Sequence, residues 1–314
     1  MGRNFASGVL FILAVGCGGD GSEHEVILGA NGMFFDAEDR LHVASVSSGT
    51  VFVIDRDSGK TLRKLGEAQG VLSPDDVTIG ADGTAYFTNI LHGTVSSLSP
   101  LGEVRVLADL GWGVNSITLQ DDGRVWVGRD FLGDGLYELD PTGKRAPRTV
   151  IESPGWINAM DFGPDGQLYG PVYTKSIVVR INPATGETTT VARFDDRLHA
   201  VKFDRQGRLH VVQAQPGRVV RVDLESGGRE VVGVYEAGID NLAFDSSGRL
   251  FISGYVDGSV HEVMPGGALR QIRPPSMLSS VVTTAGVLSP VLLLLGLVVA
   301  VVFGVRRWRR RARS

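Results

Sequence analysis

Six polar residues recur at one register of this 314-residue chain: Asn31, Asp75, Asn115, Asn158, His199 and Asp240. Each stands four residues ahead of an apolar position, namely Phe35, Ile79, Leu119, Phe162, Phe203 and Phe244. Amide and carboxylate oxygens gathered on one axis could hold a divalent cation such as calcium, because hard cations take oxygen ligands. The one imidazole, on His199, could serve as a metal ligand or as a general base near neutral pH. A plainer reading uses the same residues. Asn and Asp are favoured where loops enter strands, since their side chains bond nearby backbone, and the six could line an idle channel filled with water.

Other hydrolytic signatures are missing. No G-x-S-x-G nucleophile elbow occurs. His24-Glu25 and His261-Glu262 begin H-E pairs, but Leu28 and Pro265 stand where a second zinc histidine would be. Residues 16–21 spell G-x-G-x-x-G without the flanking strand, helix and later acid that a dinucleotide site needs. Cys17 is the sole cysteine, which excludes an internal disulfide and any C-x-x-C motif.

The elements that must position the six residues are legible as a repeat. The apolar anchors are spaced 44, 40, 43, 41 and 41 residues apart. Each unit reads as an apolar strand, a turn that is often Asp-Gly or Ser-Gly, a second strand, a glycine-containing loop, and two more strands. One four-stranded sheet per ~40–45 residues is the mark of a β-propeller. The expected fold is therefore an all-β, six-bladed β-propeller over residues 25–275. The innermost strand of each blade lies nearest the axis, so the six polar residues should ring one mouth of the channel. Loops between second and third strands open on the same face and add walls such as Asn89, Arg129, Asp130, Tyr173, Tyr255 and Asp257. Ring closure has two contenders for the last outer strand, one at Glu25-Val-Ile-Leu and one at Ala268-Leu-Arg-Gln-Ile.

Over this span the chain resembles the family of senescence marker protein, gluconolactonase and luciferin-regenerating enzyme. The Ile157-Asn158-Ala-Met-Asp-Phe stretch carries the nearest match. The resemblance implies a divalent cation held by a first-blade Glu, third- and fourth-blade Asn and a fifth-blade Asp that also acts as base. It further implies metal-assisted hydrolysis of a lactone or ester. Asn115 and Asn158 stand at the family's Asn positions, while Asn31 replaces its Glu and His199 its Asp. Gly113 stands where the family has a substrate-orienting Arg. The opposing expectation is a non-catalytic propeller, a sensor or scaffold that takes a small ligand or a protein partner at its mouth.

The two ends address the chain to a membrane. Residues 5–16 form a short apolar run behind Arg3, which suits a signal peptide over 1–17. Cys17 after Ala14-Val15-Gly16 resembles a lipoprotein acylation site, and 18–24 reads as a flexible tether. At the other end 276–305 carries no charge, and 287–305 is almost wholly aliphatic. Nineteen helical residues rise roughly 28 Å, close to the hydrocarbon thickness. The expectation is a linker over 276–286, one C-terminal transmembrane helix over 287–305, and a cytoplasmic tail over 306–314 with six arginines. The ring would then be extracytoplasmic, periplasmic or at the cell surface. Without the tail and Arg3 the chain holds 24 basic against 35 acidic side chains, a balance of −11 that argues against nucleic acid.

Overall fold

A computed structural model describes residues 25–284, except 132, 216, 236 and 237. Six four-stranded antiparallel sheets follow one another along the chain, each built from four consecutive strands. Blade 1 opens with Met33–Phe35, blade 2 with Pro74–Ile79, blade 3 with Val114–Leu119, blade 4 with Asp161–Phe162, blade 5 with Leu198–Phe203 and blade 6 with Asn241–Phe244. The expected six-bladed, all-β ring is thus the fold.

What holds the ring is apolar packing between blades. Six buried clusters fill the six seams, one per seam, as with Val77 and Phe87 against Ala44 and Val51 between blades 1 and 2. Each fully buried Val, Leu, Ile or Phe contributes about 1.5–3 kcal/mol. The alternation of the strands supplies these residues in pairs, since period 2 sends every other side chain into each seam.

Among the described residues closure uses no strand exchange. Leu269–Arg273 is the outer strand of blade 6, and 25–28 pass by as irregular chain with Ile27 buried against that seam. Side chains do the closing. Ser253 donates its hydroxyl to the Asn31 carbonyl at 2.8 Å. Arg56 pairs with Asp39 and Asp245 at 2.5 and 2.9 Å, and Arg249 with Asp245 and Asp57 at 2.6 and 2.8 Å.

Residues 277–284, expected within a linker, are helical and lie on blade 6. Ser279 and Thr283 are buried and donate to the Val256 carbonyl, while Ser279 also accepts the Gly29 N–H. The expected signal peptide, tether, transmembrane helix and basic tail fall outside the described residues. Among the described residues no helix is long and apolar enough to cross a membrane.

Candidate functional site at the channel mouth

The inner strands bring the six residues to one mouth, in blades 2, 3 and 5 by a repeated irregularity. In blade 2 the pairing shifts by one between Pro74↔Asn89 and Val77↔Phe87, so Asp75 and Asp76 together oppose Thr88. Blade 3 shifts in the same place, setting Asn115 and Ser116 against Gly128, and blade 5 sets His199 and Ala200 against Val212. Such bulges re-aim side chains and increase local twist. A Cβ on Gly128 would lie 2.3 Å from the Ser116 hydroxyl and 2.5 Å from the Ile157 carbonyl, so the bulge needs glycine opposite it. Blade 4 departs further. Its inner strand shrinks to Asp161–Phe162, and Ile157 and Ala159 make isolated bridges to Val172 and Ala200. Pro171 on the neighbouring strand has no N–H to give the ladder, and the chain leans instead on blade 5.

Four of the six residues meet in two pairs, and the other two turn to neighbours outside the set, rather than all forming one ring of ligands. Asn31 donates its amide to Asp75 at 2.8 Å. His199 Nδ1 lies 3.0 Å from the Asp240 carboxylate, with both side chains partly exposed. Asn158 turns its amide oxygen to the N–H of the next residue, Ala159, at 2.7 Å. Asn115 lies beside Asp130 and favours that carboxylate's charged form, without a hydrogen bond of good geometry.

The electrostatics of the mouth are those of crowded acids. Burial pushes Asp75 well above the usual carboxylate range, and the charges of Asp240, Asp130 and Asp76 push it further. Asp76 is raised to about 6 by burial, against the attraction of Lys202 and two backbone N–H groups, those of Ile117 and Val77. Asp130 is fully buried, is raised by burial and by Asp134 and Asp240, and has no hydrogen-bond partner for either oxygen among the described residues. Tyr255 is pushed up to about 12 by burial and by Asp75 and Asp240. Lys202 lies beside Asp161 at 4.0 Å, and its positive charge also favours the charged form of Asp76.

An aromatic wall stands next to the His199–Asp240 pair. Phe131 packs on Trp156 at 5.1 Å between ring centroids, both contact Tyr173, and Tyr173 lies 5.6 Å from the His199 ring. Arg197 covers the Tyr173 ring and donates to its hydroxyl at 2.9 Å. Phe131 and Trp156 both hold a positive φ, +55° and +64°, which costs a side-chain-bearing residue about 1–2 kcal/mol. The Asp134 carboxylate keeps that turn in place by accepting the N–H groups of Gly155 and Trp156. Strain of this kind gathers at binding and catalytic sites.

The offset of four residues found the mouth positions. It missed Asp76, Asp134, Phe131, Trp156 and Arg197. The Asp75-Asp76 doublet was a signal for the first, but the others lie on loops of unequal length that share no register. Clefts of about 740, 770 and 670 Å³ lie elsewhere, in the grooves between blades 4 and 5, 5 and 6, and 1 and 2. All three sit near the turns of the opposite face, where neighbouring sheets splay apart, and none holds the mouth residues.

The cation implied by the family resemblance was set against this geometry. Among the described residues no three His, Cys, Asp or Glu side chains form a group that could hold a metal. Asn31 and His199 lack the carboxylates of the family's Glu and Asp, Asn31 gives its amide to Asp75, and the Asn158 oxygen accepts the Ala159 N–H. The residues present do not fit that ligand set.

No family model matches the chain, and no curated protein matches it in sequence. Solved structures match its fold. One is virginiamycin B lyase from Staphylococcus aureus, in a histidine-to-alanine variant described as catalytically inactive and solved with quinupristin. It has 14% identity and a TM-score of 0.61, over 80% of this chain and 86% of that one. A gluconolactonase from Xanthomonas campestris shares 16% identity with a TM-score of 0.61, over 74% and 85%. A calcium-binding protein, regucalcin, from Agrobacterium tumefaciens shares 17% with a TM-score of 0.59, over 74% and 83%. The resemblance read from the repeat is thus met by gluconolactonase and regucalcin as structural neighbours. At these identities the likeness establishes the fold, and chemistry has to be argued from the site.

Proposed function

We propose that the mouth is the reaction site of a hydrolase-type propeller that opens a small lactone or ester, with His199 as its general base. The observation that carries this reading is the 3.0 Å contact of His199 Nδ1 with Asp240. A carboxylate at Nδ1 fixes the proton there and leaves Nε2 as the acceptor. Nε2 then takes a proton from water as the water oxygen bonds to the substrate carbonyl carbon. The imidazolium returns that proton to the departing alkoxide as the C–O bond breaks, giving acid and alcohol. Asp240 stabilises the imidazolium between the two steps. The aromatic wall of Phe131, Trp156 and Tyr173 offers an apolar face for the substrate body, and Arg197 supplies positive charge on that side.

The test is a lactone and ester panel with the full chain. His199→Ala is expected to lower kcat/KM by roughly 10²–10⁴, the usual reach of a positioned base. A rate indifferent to His199 defeats the assignment. The binding-only reading draws on the same exposed aromatics, Trp112 and Phe131 among them. It predicts ligand affinity without turnover, and His199→Ala then changes binding alone.

The reading includes an address. The uncharged 276–305 stretch ending on six arginines supports an anchored chain with its ring outside the cytoplasm and its tail inside. Resistance of the full chain to carbonate extraction tests the anchor, and protease access to the ring in sealed vesicles tests the side.

A further inference from the structure

The mouth face is apolar on one side only. Leu91 of blade 2, Trp112 between blades 2 and 3, Phe131 of blade 3 and Val256 of blade 6 are 58, 63, 49 and 42% exposed. All four lie on loops of the mouth face, along the arc that runs through blades 6, 1, 2 and 3. Blades 4 and 5 present Lys175, Asp195, Asp196 and Arg197 on the same face, and the arc itself exposes only Glu67 and Asp109 among its described charged groups beside those apolar residues. The 277–284 helix joins the apolar side. It buries Ser279 and Thr283 against blade 6 and leaves Met277, Leu278 and Val281 outward at 85, 55 and 61%. An ordinary docked helix would bury those apolar residues and expose the polar ones. The inversion calls for an apolar environment beyond the described residues.

Chain length says what that environment is. Residues 285 and 286 alone separate the docked helix from the aliphatic run at 287, a reach of at most ~11 Å. A run of that composition and length matches a bilayer core. If it anchors the chain, as proposed above, the rim of blade 6 is held within about that distance of the lipid.

We propose that the mouth face rests on the bilayer through the arc of blades 6, 1, 2 and 3. Trp112 and Leu91 dip into the interface, where amphipathic and aromatic side chains are favoured, while Phe131 stays with the aromatic wall beside His199. Blades 4 and 5, with their charges, tilt away and leave the His199 side open to water. This inference rests on the anchor reading and adds an orientation to it.

The experiment uses the full chain in a Cys17→Ser background, reconstituted into phosphatidylcholine vesicles carrying doxyl-labelled lipid. Single cysteines at Leu91→Cys and Met277→Cys, and at Leu101→Cys and Leu224→Cys on the opposite face, carry a fluorophore. All four sites are exposed, and thermal unfolding checks that each variant keeps the fold. Leu91 decides, because it lies on the arc away from the anchor. Quenching at 91 and 277 several-fold above that at 101 and 224 is the expected result. Quenching at 277 alone, with the chain still resistant to carbonate, overturns the orientation and leaves the anchor standing. Release by carbonate removes the anchor reading and this inference with it.

Discussion

The seam between blades 6 and 1 and the mouth of the channel both concentrate aspartates, and they treat them oppositely. At the seam every acid meets a base. Burial works against the charge of Asp245, yet the Arg249 backbone, Ser247 and the Arg249 guanidinium outweigh it and hold the carboxyl below its usual range. Asp39 follows the same pattern with Ser246 and Arg56. At the mouth Asp75, Asp76 and Asp130 are buried together and raised. Paired charges in one region serve closure. Crowded charges in the other are a cost to folding that a purely structural ring would have no reason to keep.

The contrast can be broken at the seam first. Asp245→Ala removes the buried carboxylate shared by Arg56 and Arg249, which keep Asp39 and Asp57, and a loss of about 1.5–3 kcal/mol is expected in denaturant unfolding. A loss below ~1 kcal/mol would make the seam network ornamental. The mouth should respond with the opposite sign. Asp75→Asn keeps the contact with Asn31 and removes a buried charge among like charges, so a gain of about 1–3 kcal/mol is expected at neutral pH. If the variant is destabilised, Asp75 is paired with something the structure does not hold.

Acidity separates the regions without mutation. The folded-state values of Asp75, Asp76 and Asp130 lie above the unfolded one, so the native ring binds more protons than the unfolded chain in between. Stability therefore rises as pH falls from about 7 through about 6, the value for Asp76, toward about 4. Asp36 goes the other way. Burial opposes its charge, but hydrogen bonds from His42 and Arg40 bring it down to about 2, so its contribution is present above about 4 and is lost on further acidification toward 2. A melting temperature that peaks near pH 4, and whose rise is blunted by Asp75→Asn, is the expected profile. The smallest effect is expected at Asn158. Its oxygen is occupied locally, so Asn158→Ala should leave any calcium-induced thermal shift as it was, and a shift abolished by the variant would restore Asn158 as a ligand.

Much of this was legible in the sequence because a propeller repeats its geometry. The 40–44-residue anchor spacing fixed the blade count, and a constant offset from each anchor reached the mouth because every inner strand starts there. Bulges that set Asp76 behind Asp75 depend on what stands opposite, Thr88 in one blade and Gly128 in another, and no local pattern announces them. Seam pairs such as Ser246 with Asp39 join residues 207 positions apart. Asp130 was read as a wall residue, yet its burial without a partner depends on packing that no local pattern announces. The short inner strand of blade 4 was written in Pro171, whose missing N–H could have been weighed.

Because blade 6 is complete in its own four strands, the ring has a free outer edge at Leu269–Arg273, and the chain leaves from that edge. A tether pulling on this end would load the outer strand in a peeling geometry, one hydrogen bond at a time, rather than shearing the sheet. The helix at 277–284, fastened by Ser279 and Thr283 to the Val256 carbonyl and by Ser279 to the Gly29 N–H, stands between that pull and the strand. It is a strain relief, like the clamp that keeps tension on a cable from reaching its solder joint.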